Sequence, residues 1–366
     1  MKHVCFFTGF PGFLANELLK QLIIDHRDTI NCMYLLVLPP LQNTAIQQTK
    51  QLANQLNVEE EFFQIISGDI TENNLQLSPE VEKQLRKEVT HVFHLAAIYD
   101  LAVTQKLAYN VNVKGTEHVN NWVKTLSNLE RYIYYSTAYV SGTREGKIYE
   151  YELDEGQHFR NHYEETKFLA EMAVHRIKEA VPTTIVRPAV VKGHSKTGYT
   201  IKFDGLYFML NFLDKIKHLP QIPYLGEGKP EGNFIPSDYL IEATSYLAIN
   251  PIGAGKTYHL TDPKPYKMWE LQKLLCEYYV GKTPKGKIPI QAAKLPMTFA
   301  PIRKRLQAEP EAMDYFLIHS SYDCTEITRD LEDSGITCPD LVDTLEPMIT
   351  FYQKYKDDYA KHPAFF

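Results

Sequence analysis

Val4-Cys5-Phe6-Phe7-Thr8-Gly9-Phe10-Pro11-Gly12-Phe13-Leu14-Ala15 is the stretch on which the fold turns. Val4–Phe7 is a short apolar run and reads as a buried strand. From Gly12 to His26 the apolar spacing reads as a helix. Gly9 permits a tight turn between them. Gly12 has no Cβ, so an anion can approach the backbone, and Ala15 is small enough for the helix to pack close on a sheet. The first N–H groups of a helix lack intrahelical partners, which suits this turn to a pyrophosphate. The full G-x-G-x-x-G fingerprint would need glycine at position 7, where Phe7 stands. Thr8, Gly9, Phe10, Pro11, Gly12, Phe13 and Leu14 are therefore the candidate dinucleotide cradle.

Outward from this turn, apolar runs alternate with helical patterns. Met33–Leu38, Phe62–Ile66, Thr90–Ala97, Arg131–Ser136 and Thr183–Arg187 read as further strands. Val103–Leu126 and Tyr163–Glu179 read as helices. Such alternation predicts an α/β fold with a doubly wound parallel sheet, its ligand crevice at the carboxyl ends of the strands. Asn233–Asn250 reads as one more strand and helix returning to the sheet, and Tyr258–Leu260 as a short strand. The remainder is mostly helical, with proline breaks. The expected division is a dinucleotide-binding part, 1–191 plus 233–261, and a smaller, mostly helical substrate lobe, 192–232 plus 262–366. Thr283–Glu309, rich in lysine and proline, reads as a mobile flap.

Composition excludes several classes. A net charge of -6 with no basic stripe argues against nucleic acid as partner. The five cysteines are scattered without a Cys-x-x-Cys pair, so neither a zinc site nor a disulfide framework is expected, and a reducing, cytoplasmic setting is the simpler reading. No apolar run reaches the length of a membrane span. The apolar Ala364-Phe365-Phe366 is read as packing on the domain or fraying.

Tyr163 and Lys167 lie four residues apart, on one face of a helix. A lysine ammonium near a phenol favours the phenolate, which would make Tyr163 a general acid/base near neutral pH. Tyr278/Lys282 and Tyr352/Lys356 share the spacing. The first pair differs in what precedes it: Ser136-Thr137-Ala138-Tyr139-Val140 at a strand end, with Tyr163 26 positions after Thr137.

With Thr8–Ala15, Gly68-Asp69, His94-Leu95-Ala96-Ala97, Asn112-Val113-Lys114-Gly115-Thr116, Tyr163–Lys167 and Arg187-Pro188 in this order, the chain resembles the extended short-chain dehydrogenase/reductases. Within them it is most similar to the fatty acyl-CoA and thioester reductase branch, often called male-sterility-like. The resemblance covers about residues 4–260. It implies that Tyr163 passes a proton to a carbonyl oxygen, that Lys167 holds the nicotinamide ribose hydroxyls, and that Thr137 hydrogen-bonds the same oxygen, with Ser136 adjacent. It implies that Asn112 holds a water linking Lys167 to solvent. Asp69 and Ile70 would meet the adenine, Leu95, Ala96 and Ala97 would leave room for the cofactor, and Pro188, Ala189 and Val190 would meet the nicotinamide. NADP(H) is favoured by the resemblance and NAD(H) stays open, because Leu36-Val37-Leu38-Pro39-Pro40 carries neither the acid nor the arginine that would decide.

The expected activity is NAD(P)H-dependent reduction of a carbonyl, whether an aldehyde, a ketone or an acyl thioester. A nucleotide-sugar epimerase or dehydratase, or a non-catalytic dinucleotide sensor, are the alternatives. Tyr207, Phe208 and Leu210–Phe212 read either as an apolar pocket wall or as helix core. A homodimer through Val103–Leu126 and Tyr163–Glu179 is a further expectation from the resemblance.

Overall fold

The computed structural model describes residues 2–99, 103–297, 299 and 310–362. In chain order the strands are β1 (His3–Thr8), β2 (Ile30–Val37), β3 (Phe63–Ser67), β4 (His91–His94), β5 (Arg131–Tyr135), β6 (Gly146–Ile148), β7 (Thr183–Pro188), β8 (Val190–Lys192), β9 (Tyr224–Leu225), β10 (Phe234–Pro236), β11 (Thr257–Leu260), β12 (Lys287–Ile288) and β13 (Ser320–Tyr322). The main helices before residue 300 are α1 (Phe13–His26), α2 (Gln42–Leu56), α3 (Pro79–Glu88), α4 (Gln105–Ala108), α5 (Gly115–Val123), α6 (His162–His175), α7 (Tyr207–Ile216), α8 (Ser237–Ile249), α9 (Met268–Val280) and α10 (Ile290–Met297).

Seven strands form one parallel sheet in the order β11-β7-β5-β4-β1-β2-β3. The chain runs outward from β1 to β3, then crosses to β4 on the other side of β1. The point where the order reverses lies between β1 and β4, and ligands of such sheets bind beside it at the strands' carboxyl ends. Both faces are covered. Phe7, Leu35, Phe93 and Val186 pack with α1 and α8 on one side, and Phe6, Val92, Tyr132 and Ile185 pack with α5 and α6 on the other. Burial on both faces explains why these strands read as unbroken apolar runs instead of alternating ones.

A third core lies away from the sheet, where Phe203, Tyr207 and Leu210 meet Leu271 and Leu275 of α9 and Leu345, Ile349 and Tyr352 of the helix Leu345–Tyr355. Residues 320–331 do not join it. β13 pairs with β6, and Ile327 and Leu331 of the helix Thr325–Leu331 pack into the core of the main sheet.

Several expectations are corrected in detail. β4 stops at His94, three residues before Ala97. The helix expected over 103–126 runs 105–123 and contains one π-helical stretch, Tyr109–Lys114. β10 pairs with β8, outside the main sheet, and the strand that closes the sheet is β11. Within Thr283–Glu309 the chain forms β12 and α10, while 298 and 300–309 lie outside the described residues, as do Ala364–Phe366. Among the described residues no helix is long and apolar enough to cross a membrane.

Candidate active site

The carboxyl ends of the strands open into one cavity of about 1180 Å³. Its floor begins at the turn after β1. Gly9 sits at φ +93, and a Cβ there would meet the Ala96 nitrogen at 2.7 Å, so only glycine lets the turn lie against the end of β4. Gly12 precedes α1, and no side chain caps the helix. The first amides of α1 are thus left to an anion. Thr8 ties the turn down: its Oγ1 accepts the Ala96 N–H at 3.2 Å and bonds His94 Nδ1 at 2.7 Å. The His94 Nε2 reaches Thr116 Oγ1 at 3.0 Å, and burial holds this ring neutral, with its pKa near 3.

Thr8, Gly9, Phe10, Pro11, Gly12, Phe13, Leu14, Asp69, Ile70, Leu95, Ala96, Ala97, Pro188, Ala189 and Val190 all line the cavity. One Asp69 oxygen accepts from Thr71 N and Oγ1, both at 2.8 Å. A dinucleotide fits this donor set: uncapped amides for the pyrophosphate, a fixed carboxylate near one end, small residues between. Leu38 and Leu41 form the wall beyond β2 and bring no charge to it.

Asn161 caps α6, its side chain accepting the Glu164 N–H at 2.9 Å. This sets Tyr163 in the first turn and Lys167 one turn later, both buried and both on the cavity. The Thr137 side chain lies near the Tyr163 hydroxyl and favours its ionised form, and the Tyr163 ring meets Tyr99 edge-on at 5.2 Å. Ser136 points elsewhere, donating to Glu171 in a short contact. The neighbouring hydroxyls are thereby separated: Thr137 faces Tyr163, and Ser136 faces the interior.

The expected lowering of the Tyr163 pKa by Lys167 is not found. Burial pushes the phenol well above its ordinary value, and the nearby Thr137 side chain only partly opposes this. Lys167 Nζ is instead held by the Tyr135 carbonyl at 2.6 Å and the Tyr134 hydroxyl at 3.1 Å. Burial lowers its pKa to about 7, with the Glu171 charge pulling the other way. Burial would raise Glu171 itself, but the Arg187 guanidinium, 2.6 Å away, holds that carboxyl near 2.

Asn112 is placed behind the wall. Its Oδ1 accepts Ile98 N–H at 2.8 Å, and its Nδ2 donates to Ile98 O at 3.3 Å and to Thr166 Oγ1 at 3.0 Å. Both ends of the amide are engaged by protein, so the side chain clamps the loop after β4 to α6.

Helix α7 resolves the earlier ambiguity by splitting. Phe208, Met209 and Phe212 line the cavity, while Tyr207 and Leu210 are buried in the lobe core and Asn211 accepts from Tyr352 Oη at 2.9 Å. Met313, Tyr315, Phe316, Ile318 and Tyr322 complete the apolar wall. Sequence reasoning missed all five, since nothing local marks them. Tyr315 donates to Glu164 Oε1 at 3.1 Å and meets Tyr139 edge-on at 4.8 Å, docking this late segment over the start of α6.

Comparison with known proteins places the chain in a family and a fold. Residues 7–244 match the family described as male sterility protein, an NAD-binding family. A non-canonical nonribosomal peptide synthetase of Aspergillus campestris is 27% identical over 70% of this chain and 25% of its own length. A putative fatty acyl-CoA reductase of Drosophila melanogaster is 25% identical over 65% of this chain and 50% of its own. The chain thus spans between a quarter and a half of the length of these relatives. The terminal R domain of the myxalamid PKS-NRPS pathway has the same fold, with a TM-score of 0.81 and 22% identity over 99% of this chain and 93% of that one. A UDP-glucuronic acid 4-epimerase of Bacillus cereus, solved with NAD, shares the fold at a TM-score of 0.64, with 19% identity over 98% and 99% of the two chains. The chain belongs to the male sterility protein family of NAD-binding domains, a thioester reductase-like branch of the extended short-chain dehydrogenase/reductases.

Proposed function

We propose that this chain is an NAD(P)H-dependent reductase of apolar carbonyl compounds, taking an acyl thioester or an aldehyde. The observation that carries the reading is the Thr137–Tyr163 hydroxyl pair at the junction of two unlike halves of one cavity. One half is the glycine turn with its uncapped amides. The other is walled by Phe208, Phe212, Met313 and Phe316. The fatty acyl-CoA reductase and peptide synthetase relatives support the same class.

A bound nicotinamide supplies a hydride to the carbonyl carbon. The protein's part is positioning and protons. The Tyr163 phenol is protonated at neutral pH, so its O–H can give the proton that the carbonyl oxygen needs. The Thr137 hydroxyl is a second donor where negative charge develops. Lys167 holds the ribose hydroxyls. Asn112 acts as a positioning residue through Thr166 of α6. The family resemblance favours NADP(H), and the leucines beyond β2 favour neither cofactor. Five unpaired cysteines support a reducing, cytoplasmic setting. Exposed Leu107, Tyr109 and Leu169 support a homodimer contact through the helices expected to make it.

The apolar wall disfavours a nucleotide-sugar epimerase, whose substrate needs polar partners along its length. The test is oxidation of NADPH and of NADH by the purified protein against aldehydes, ketones, acyl-CoA esters and a nucleotide sugar. Turnover with the apolar carbonyls and none with the sugar is expected. Redox-neutral conversion of the sugar with no net cofactor oxidation would refute the reading.

A further inference from the structure

At the amino end of the sheet, opposite the cavity, three side chains from neighbouring positions converge: His3 at the start of β1, His91 at the start of β4 and Glu130 just before β5. The strands are adjacent and in fixed register, Cys5 opposite His91 and His91 opposite Arg131, so the backbone holds the three residues together. One ligand-capable atom of each lies within 4.8 Å of the others. The two imidazoles meet at 4.5 Å between ring centroids, at an interplanar angle of 71°.

Two details distinguish this cluster from a chance meeting of polar groups. His3 Nδ1 is buried and makes no hydrogen bond, although Glu130 Oε2 is only 3.3 Å away. Two lone-pair donors so placed match one edge of a metal tetrahedron, since bonds of about 2.0–2.1 Å put adjacent ligands about 3.3 Å apart. The second detail is the anchoring of His91. Thr90 Oγ1 accepts the Val4 N–H at 2.9 Å and bonds His91 Nδ1 at 2.9 Å. The direction of the ring is thus fixed by an outer hydrogen bond, as in metal-ligating histidines.

We propose that His3, His91 and Glu130 form a site for one divalent transition metal of the Zn2+ type, with water as the fourth ligand. Two imidazoles and one carboxylate suit a borderline metal. Glu130 is half exposed and His3 one-fifth exposed, which gives the ion and its water a way in. Arg131 is the opposing charge nearby. Its guanidinium is committed to Thr184 Oγ1 and to the Leu247 and Asn250 carbonyls. His26 Nε2, also buried and without a hydrogen bond, lies within electrostatic reach of both imidazoles. The ion would join three adjacent strands at the end away from the chemistry, so it would act on stability and leave turnover alone.

The test uses the untagged full chain, stripped of metal and titrated with Co2+. One equivalent should produce the intense visible absorption of four-coordinate Co2+, without thiolate charge-transfer bands, and Zn2+ should displace it. Zn2+ should also raise the melting temperature by mass action. Glu130→Gln and His3→Gln should each weaken binding at least tenfold and abolish the melting shift, with carbonyl reduction unchanged. Glu130 is exposed enough that its variant should fold even if a His91 variant does not. Six-coordinate Co2+ spectra, thiolate bands, or native affinity in both variants would overturn the proposal.

Discussion

Tyr163 holds its proton more tightly than an ordinary phenol because its surroundings are dry. Burial raises its pKa, and Thr137 is the polar neighbour that opposes this. Replacing Tyr163 with Phe should lower kcat by about 10²–10⁴-fold, the usual worth of a positioned general acid, with dinucleotide affinity retained in a fluorescence titration. Normal turnover in that variant would refute the proton assignment. The pH dependence belongs to Lys167. Its pKa is lowered by burial to about 7, so the ammonium is present below that pH and lost above it. For reduction, kcat/KM should be level on the acid side and fall as pH rises through about 7. Lys167→Arg keeps its charge throughout and should move the fall to higher pH. At this scale residue type and order were enough to pick out Thr8, Gly9, Tyr163 and Lys167, which the fold brings to one cavity. The sequence could not separate Ser136 from Thr137, because adjacent hydroxyls on a strand end differ only in which side they face. Nor could it see that Lys167 would be drawn to the Tyr135 carbonyl, a contact made by folding alone.

Among elements, α6 is joined to the sheet by a buried ion pair. Arg187 of β7 grips Glu171 with two donors, at 2.9 and 2.6 Å, and Ser136 and His175 add to the hold. Glu171→Ala leaves a buried guanidinium unpaired and should cost about 3–5 kcal/mol in denaturant unfolding. The sign of the pH effect follows from the direction of the shift. Glu171 is depressed from 4.5 to about 2, so its contribution is fully present above about pH 4.5 and is lost as pH falls through 2. Acid unfolding of the native chain should show this loss, and the Glu171→Ala chain should not. Strands buried on both faces were legible as apolar runs. Helices α2 and α3 were not, because their sequences are largely polar and lie between motifs. β6 and β13 have three residues each and pair across some 170 positions, so no local pattern announces either.

The whole molecule sets what the cavity admits. Its far wall is assembled from α7, β9 and the segment around Met313–Tyr322, parts far apart in the chain. If that wall receives an acyl chain, each added methylene buried should raise kcat/KM about fourfold, following roughly 0.8 kcal/mol per CH2, until the pocket is full. A series of straight-chain aldehydes measures this, and a flat response would mean that the chain stays in water. We further propose that the two-lobe division holds with one amendment, residues 320–331 being counted with the sheet on which they pack. Their apolar spacing does not say which of two cores they will join.

The docking of Tyr315 on Glu164 and of β13 on β6 has a consequence for biosynthesis. A ribosome releases the glycine turn, Thr137, Tyr163 and Lys167 well before Met313–Tyr322 emerges. A nascent chain at residue 300 therefore already carries every group of the proposed proton-transfer set, with Tyr139 and the start of α6 still bare on one side. The far wall of the cavity is complete only after that segment has emerged. The interval before it is when the exposed aromatic surface is most open to wrong partners.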